Sequence, residues 1–155
     1  MTVKLDAELL YEITCELGPP QPIGAGPFGN RGVIPVLGGQ FSGPRMRGVI
    51  ATPPGGEWGL TRADGVGRLD VRMTLRTHDD AWILVQYTGL MHGPAEAMQR
   101  AMTSGDSDGS DYYLRTTPTF ETGHPAYAWL NKVVAVGYGR MLPGFNIQYR
   151  IYQLL

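Results

Sequence analysis

Between Arg68 and Arg76 the chain alternates strictly, with Arg68, Asp70, Arg72, Thr74 and Arg76 against Leu69, Val71, Met73 and Leu75. A period of two sustained over that length specifies a β-strand with one polar and one apolar face. Ala81–Thr88 follows after a short turn at His78-Asp79-Asp80, so the two runs form a hairpin. Further strands are expected at Leu9–Leu17, Val33–Leu37, Gln40–Ala51, Tyr112–Glu121, Trp129–Arg140 and Phe145–Leu154. Gly18–Gly32 is expected as loop and Thr52–Glu57 as a turn. Pro94–Met102 is the one helical segment, with Ala95, Met98 and Met102 on one side.

Glycine (22) and proline (12) punctuate these short segments, as they do in turn-rich β-structure. The expected fold is all-β: a closed antiparallel barrel of about eight to ten strands with one short helix, because closure removes exposed edges. The 155 residues fit one domain, 1–155. A net charge of −1 without a basic run argues against nucleic-acid binding. The lone Cys15 continues the apolar row Leu9, Tyr11, Ile13, so it reads as a buried thiol, and without a second cysteine the expected compartment is the cytoplasm. No apolar run is long enough to span a bilayer, so no membrane partner is expected.

A two- or four-residue hairpin loop would place Asp70, Arg72 and Thr74 on one face with Ile83, Val85 and Tyr87. Stranding those apolar groups in water would forgo about 1.5–3 kcal/mol each, so the mixed face is expected to line the lumen. An odd loop would swap the faces. A second strand repeats the pattern, with Tyr113, Arg115, Thr117, Thr119 and Glu121 on one side, and Trp129 and Asn131 follow. The candidate catalytic groups are Asp70 as base with Glu121 or Glu57 as second carboxylate. Arg72 and Arg115 would stabilise a developing oxyanion, Tyr87 and Tyr113 would orient it, and Trp129 and Asn131 would supply contact.

Other motifs lack their required context. Gly24-Ala-Gly-Pro-Phe-Gly29 matches GxGxxG, but prolines precede it and no helical period follows. Asp106-Ser-Asp-Gly-Ser-Asp111 lacks the glycine and glutamate spacing of a calcium loop. His78, His92 and His124 are scattered, so no metal is expected, and no serine sits in a nucleophile elbow.

Several segments together resemble the domain of unknown function 3237, or UPF0311 type: PVLGGQFSGPRMRGVI (35–50), GGEW (55–58), DGVGRLDVRMTLRTHDDA (64–81), YYLRTTPTFET (112–122), YAWLN (127–131) and GYGR (137–140). The resemblance implies a calycin-like barrel. It also implies cofactor-free acid–base chemistry on phenolic or polyketide-like molecules. Relatives tend to carry Asp-Trp where this chain has Glu57-Trp58, which keeps the carboxylate but lengthens it. The expected function is a cofactor-independent isomerase, cyclase or lyase working on a small molecule in the barrel. The rival is a non-catalytic, lipocalin-like binding barrel, and a third reading is a purely structural shell. A homodimer is expected because one short helix cannot cover all the apolar outer positions.

Overall fold

The computed structural model describes residues 1–105 and 107–155. Among them nine strands form one antiparallel sheet: β1 (Ala7–Leu17), β2 (Gln21–Gly26), β3 (Gly29–Ser42), β4 (Arg47–Thr61), β5 (Gly67–Thr77), β6 (Trp82–His92), β7 (Tyr113–Glu121), β8 (Ala135–Leu142) and β9 (Asn146–Leu154). β1 pairs with both β9 and β3, which closes eight strands into a barrel. β2 is the extra strand, hydrogen-bonded along the first part of β3. One α-helix, α1 (Ala95–Thr103), and a 3₁₀ helix (Pro125–Lys132) complete the fold. No helix among the described residues is long and apolar enough to cross a membrane.

The β5–β6 hairpin fixes which face looks inward, and it reverses the expectation. The Thr77 amide donates to the Ala81 carbonyl (2.9 Å), and the Ala81 amide donates back to Thr77 Oγ1 (2.8 Å). Three residues, His78–Asp80, remain as the loop, and Asp80 takes the left-handed conformation (φ 66°) that such hairpins use. Arg76 therefore faces Trp82 and Arg72 faces Gln86, so even positions meet even positions. Leu69, Val71, Met73 and Leu75 join Ile83, Val85 and Tyr87 in the buried interior. Asp70, Arg72 and Arg76 lie exposed outside, with Thr74 half-buried on the same face. The alternation was sound, but one loop residue decided its sign.

Two other segments differ from expectation. Gly18–Gly32 is largely a hairpin, with the GxGxxG stretch at its turn. Gly29 (φ 134°) has no room for a side chain, since a Cβ there would lie 2.5 Å from the Thr61 carbonyl oxygen. Trp129 and Asn131 belong to the 3₁₀ helix rather than to a strand. Pro125 occupies its first turn and the His124 ring accepts from the Ala126 amide (3.2 Å), a polar cap followed by proline. Thr52–Glu57 lies within β4, where the pairing with β5 slips between Ala51 and Gly55.

The barrel has one closed end and one open end. The 3₁₀ helix buries Tyr127 and Leu130 at the closed end, where the Tyr127 hydroxyl donates to Asp79 (2.7 Å) in the β5–β6 turn. Behind it, Tyr11 packs edge-on against Phe41 and Phe120, with ring centroids 5.5 and 6.2 Å apart. At the open end α1 rests Ala97 and Ala101 on the barrel. Gly105 (φ 61°) lets the chain after α1 pass against the Leu142 backbone, 2.2 Å from where a Cβ would stand. An Arg100–Asp111 ion pair (2.6 Å) ties the helix to the loop that follows.

Candidate functional site

Cross-strand register aligns Ile34, Glu57, Val71, Tyr87 and Pro118 on successive strands β3 to β7. Residues directly opposite one another project to the same side of a sheet. Glu57 therefore points into the lumen in one row with buried Val71 and Tyr87. On its own strand the inward neighbours at two residues either side are Gly55 and Gly59, so the carboxyl is the only functional group on that stretch of wall. Glu57 Oε1 lies 2.9 Å from where a Gly59 Cβ would sit, so the side chain leans over Gly59 toward the open end.

The carboxyl forms the polar floor of a cavity of about 500 Å³. Leu60, Leu69, Met98, Met102, Met141, Phe145 and Ile147 line the cavity, with Arg31 and Arg68 also on its border. No hydrogen bond to the Glu57 carboxyl forms among the described residues. Burial raises its pKa to about 7, and the nearby negative charge of Asp70 on the outer face adds to the rise. Such a group holds and releases a proton near neutrality.

Two tyrosines lie within electrostatic reach. Tyr87 (8% exposed) and Tyr149 (2% exposed) pack edge-to-face at 5.5 Å between centroids. Burial, and then neighbouring groups including Glu57, hold both hydroxyls well above the usual tyrosine range, so they remain protonated donors. The Tyr149 hydroxyl is fully buried, with Tyr87 as its polar neighbour. Cys15 shares this interior, and burial pushes its thiol up to about 12, so it stays protonated and inert.

Of the residues singled out from the sequence, only Glu57 and Tyr87 meet in the lumen. Asp70, Arg72 and Glu121 stand on the exposed outer face. Tyr113 (44% exposed) and Arg115 are also outside. The Arg115 guanidinium lies 3.7 Å over the Tyr138 ring and 4.9 Å over Tyr113, and it donates to the Leu114 carbonyl (2.9 Å). Trp129 sits at the closed end beneath the Arg45 guanidinium, 3.6 Å away. The exposed Asn131 holds a turn, accepting from the Thr122 amide (2.8 Å) and donating to the Thr122 carbonyl (2.9 Å). Each of these outer or capping groups has a structural explanation or faces solvent.

Sequence reasoning passed over Tyr149, Gly59 and the methionines of the mouth. A signal for the first carboxyl was present: Gly55, Glu57 and Gly59 share one parity, which leaves one acid on a bare strip of strand. Asp106, the first residue of the calcium-like stretch, lies outside the described residues. Among the described residues no cluster of three or more His, Cys, Asp or Glu is placed to hold a metal.

Comparison with known proteins gives the same architecture. A UPF0311 protein of Rhodopseudomonas palustris is 32% identical over 137 residues, 88% of this chain and 89% of the relative. The crystal structure of a conserved protein of unknown function from that species superposes with a TM-score of 0.92 at 29% identity, covering 99% of this chain and all of the other. A β-barrel-like protein from Acinetobacter baumannii superposes at 0.84 with 34% identity, over 100% of this chain and 99% of the other. An enzyme from Penicillium herquei shares the fold at 0.73, with 21% identity over 100% and 98% of the two chains. With residues 5–154 matching the family described as protein of unknown function (DUF3237), the chain belongs to that family.

Proposed function

We propose that the barrel catalyses proton transfer on a small molecule bound in its lumen, in the manner of an isomerase, cyclase or lyase that relies on its own side chains. The carrying observation is the single carboxyl of Glu57 at the floor of an otherwise largely apolar cavity, with its pKa raised to about 7. In its ionised form Glu57 accepts a proton from an acidic C–H or O–H. In its protonated form it returns that proton to another atom of the substrate. Tyr87 and Tyr149, held well above the usual tyrosine range, keep their protons through this cycle. A positioned acid–base group contributes about 10²–10⁴-fold, enough for substrates that are already activated. The fold shared with the Penicillium herquei enzyme supports the barrel as a scaffold that can carry catalysis.

The test is carbon-bound hydrogen exchange in D₂O, followed by NMR across a set of small enolisable ketones and phenols. The protein should accelerate exchange for members that fit the cavity, and Glu57→Gln should lose about 10²–10⁴-fold of that acceleration. Equal exchange in the two proteins would remove Glu57 from the mechanism. A non-catalytic binding barrel is favoured instead by the apolar mouth, which suits retention of a ligand. In that case bound molecules are recovered without exchange or turnover.

A further inference from the structure

The outer surface of β6 and β7 carries a groove of about 490 Å³, on the opposite side of the sheet from the lumen. Ladder register builds it. Arg68, Leu90 and Arg115 are direct partners across β5, β6 and β7, and Asp70, Thr88 and Thr117 form the next row toward the closed end. Residues of both rows alternate with those of the lumen row, Val71, Tyr87 and Pro118, by odd steps along each strand, so they face outward. Thr88 and Thr117 are short and exposed, and they leave a depression between the longer Arg68, Leu90, Arg115 and Val136, which line it.

Two guanidinium groups border this groove without a carboxylate. Among the described residues neither Arg68 nor Arg115 forms an ion pair, whereas Arg62, Arg76, Arg100 and Arg150 each have an acid as partner. One strand separates them, so their backbones stand roughly 10 Å apart. Arg115 is held in place by its own wall. Its guanidinium stacks over the Tyr138 ring (3.7 Å) and the Tyr113 ring (4.9 Å), and Tyr113 is itself stacked on His92 with centroids 4.9 Å apart. Arg115 Nη1 donates to the Leu114 carbonyl (2.9 Å), which leaves the Nε–Nη2 edge without an acceptor among the described residues. Those two parallel N–H groups are the fork that matches a carboxylate. Beside it Leu90 (40% exposed) and Val136 (37% exposed) offer apolar surface, and the threonine hydroxyls offer further donors.

We propose that this groove is a second ligand site, separate from the lumen, which binds a small aliphatic carboxylate. Arg115 takes the carboxylate on its open edge, Arg68 adds charge from the other wall, and the tail lies on Leu90 and Val136. A long polyanion needs a track of cations, and these two arginines are the cations that line the groove. Asp70 stands one row away beside Thr88, outside the lining, so its charge keeps the anion toward the β7 side.

The experiment is an NMR titration of the intact protein with hexanoate and with 1-hexanol, which share a tail and differ in charge. Hexanoate should move the amide signals of Gly89, Leu90, Thr116 and Thr117, and hexanol should bind there at least about tenfold more weakly. Arg115→Gln should weaken hexanoate by about tenfold or more. Should that variant disturb the Tyr113 and Tyr138 rings, Arg68→Gln changes an exposed side chain and should still weaken binding by about threefold. Asp70→Asn should tighten it, because a like charge beside the groove is gone. Arg72→Gln, an exposed arginine outside the lining, is the control and should bind within about twofold of the parent. Groove signals that do not move, hexanol or inorganic phosphate binding there as tightly as hexanoate, or unaltered binding in both Arg115→Gln and Arg68→Gln would overturn the proposal.

Discussion

Glu57 and Asp70 are two carboxylates on neighbouring strands, close enough that the charge of Asp70 raises the proton affinity of Glu57, yet they face opposite sides of one sheet. Asp70 belongs to an outer ladder with Arg72 and Arg76 that is solvated along its length. The Arg76–Asp80 pair at 2.7 Å shows how such groups are used there: both side chains are at least half exposed, and water screens most of their attraction. Among the described residues no hydrogen bond or ion pair compensates Glu57, which faces the cavity. Charge density along a strand therefore says little about chemistry. Enclosure, and the absence of an internal partner among the described residues, raise an ordinary carboxyl's hold on its proton.

Substituting each acid in turn is the sharpest way to break this contrast. Glu57→Gln should remove about 10²–10⁴-fold of the exchange rate. Asp70→Asn should change the maximal rate by less than about threefold, since its side chain reaches only solvent. It should also move the pH midpoint of the rate downward from about 7, because a negative neighbour that disfavours ionisation of Glu57 is gone. A large rate loss in Asp70→Asn with an unmoved midpoint would make the outer ladder the site.

How much of this could be seen in the residues depended on what kind of information each step needed. Period-two alternation is local, so the strands of the Arg68–Thr88 hairpin, the Leu9–Leu17 run and the barrel they imply were legible. The face pointing inward was not, because it turns on whether two, three or four residues close the hairpin, and Asp80 adopting φ 66° is a choice no alternation records. Trp129 and Asn131 read as strand because the apolar run Val133–Val136 follows them closely. The proline and capping His124 that begin the 3₁₀ helix lie upstream of that run. Glu57 was legible as a candidate, but not its rank above Asp70. What sets Glu57 apart is its enclosure, with glycines at the inward positions on both sides and Tyr149, a residue 92 positions away in the chain, brought within electrostatic reach by barrel closure.

The two ends of the barrel invite the next comparison, with effects on stability rather than activity. Leu130 is 1% exposed within the closed end, so Leu130→Ala should cost about 2–5 kcal/mol, read as a shift of the urea midpoint. Met102 at the mouth is 46% exposed, and Met102→Ala should cost under about 1 kcal/mol. If the mouth substitution proved as costly as the core one, the open end would be a packed element rather than the rim of a site.

The smallest effect concerns the same carboxyl seen through stability. Glu57 has a pKa of about 7 in the folded chain against an ordinary value of 4.5 when unfolded. Between those values the folded state binds more protons than the unfolded one, so stability must fall as pH rises through this window. The fall should be on the order of 1–3 kcal/mol, at the lower end because the cavity lets water reach the carboxyl. Paired surface acids behave the other way. Asp79, held below its usual range by hydrogen bonds from Thr77 and Tyr127, gains the fold stability above its unfolded value and loses it as pH falls further. Urea titrations from pH 4.5 to 7.5 on the parent and on Glu57→Gln separate the two contributions, since the amide cannot titrate. The parent should lose stability with rising pH and the variant should be flatter. Parallel curves would mean that Glu57 ionises as readily in the lumen as it does in water.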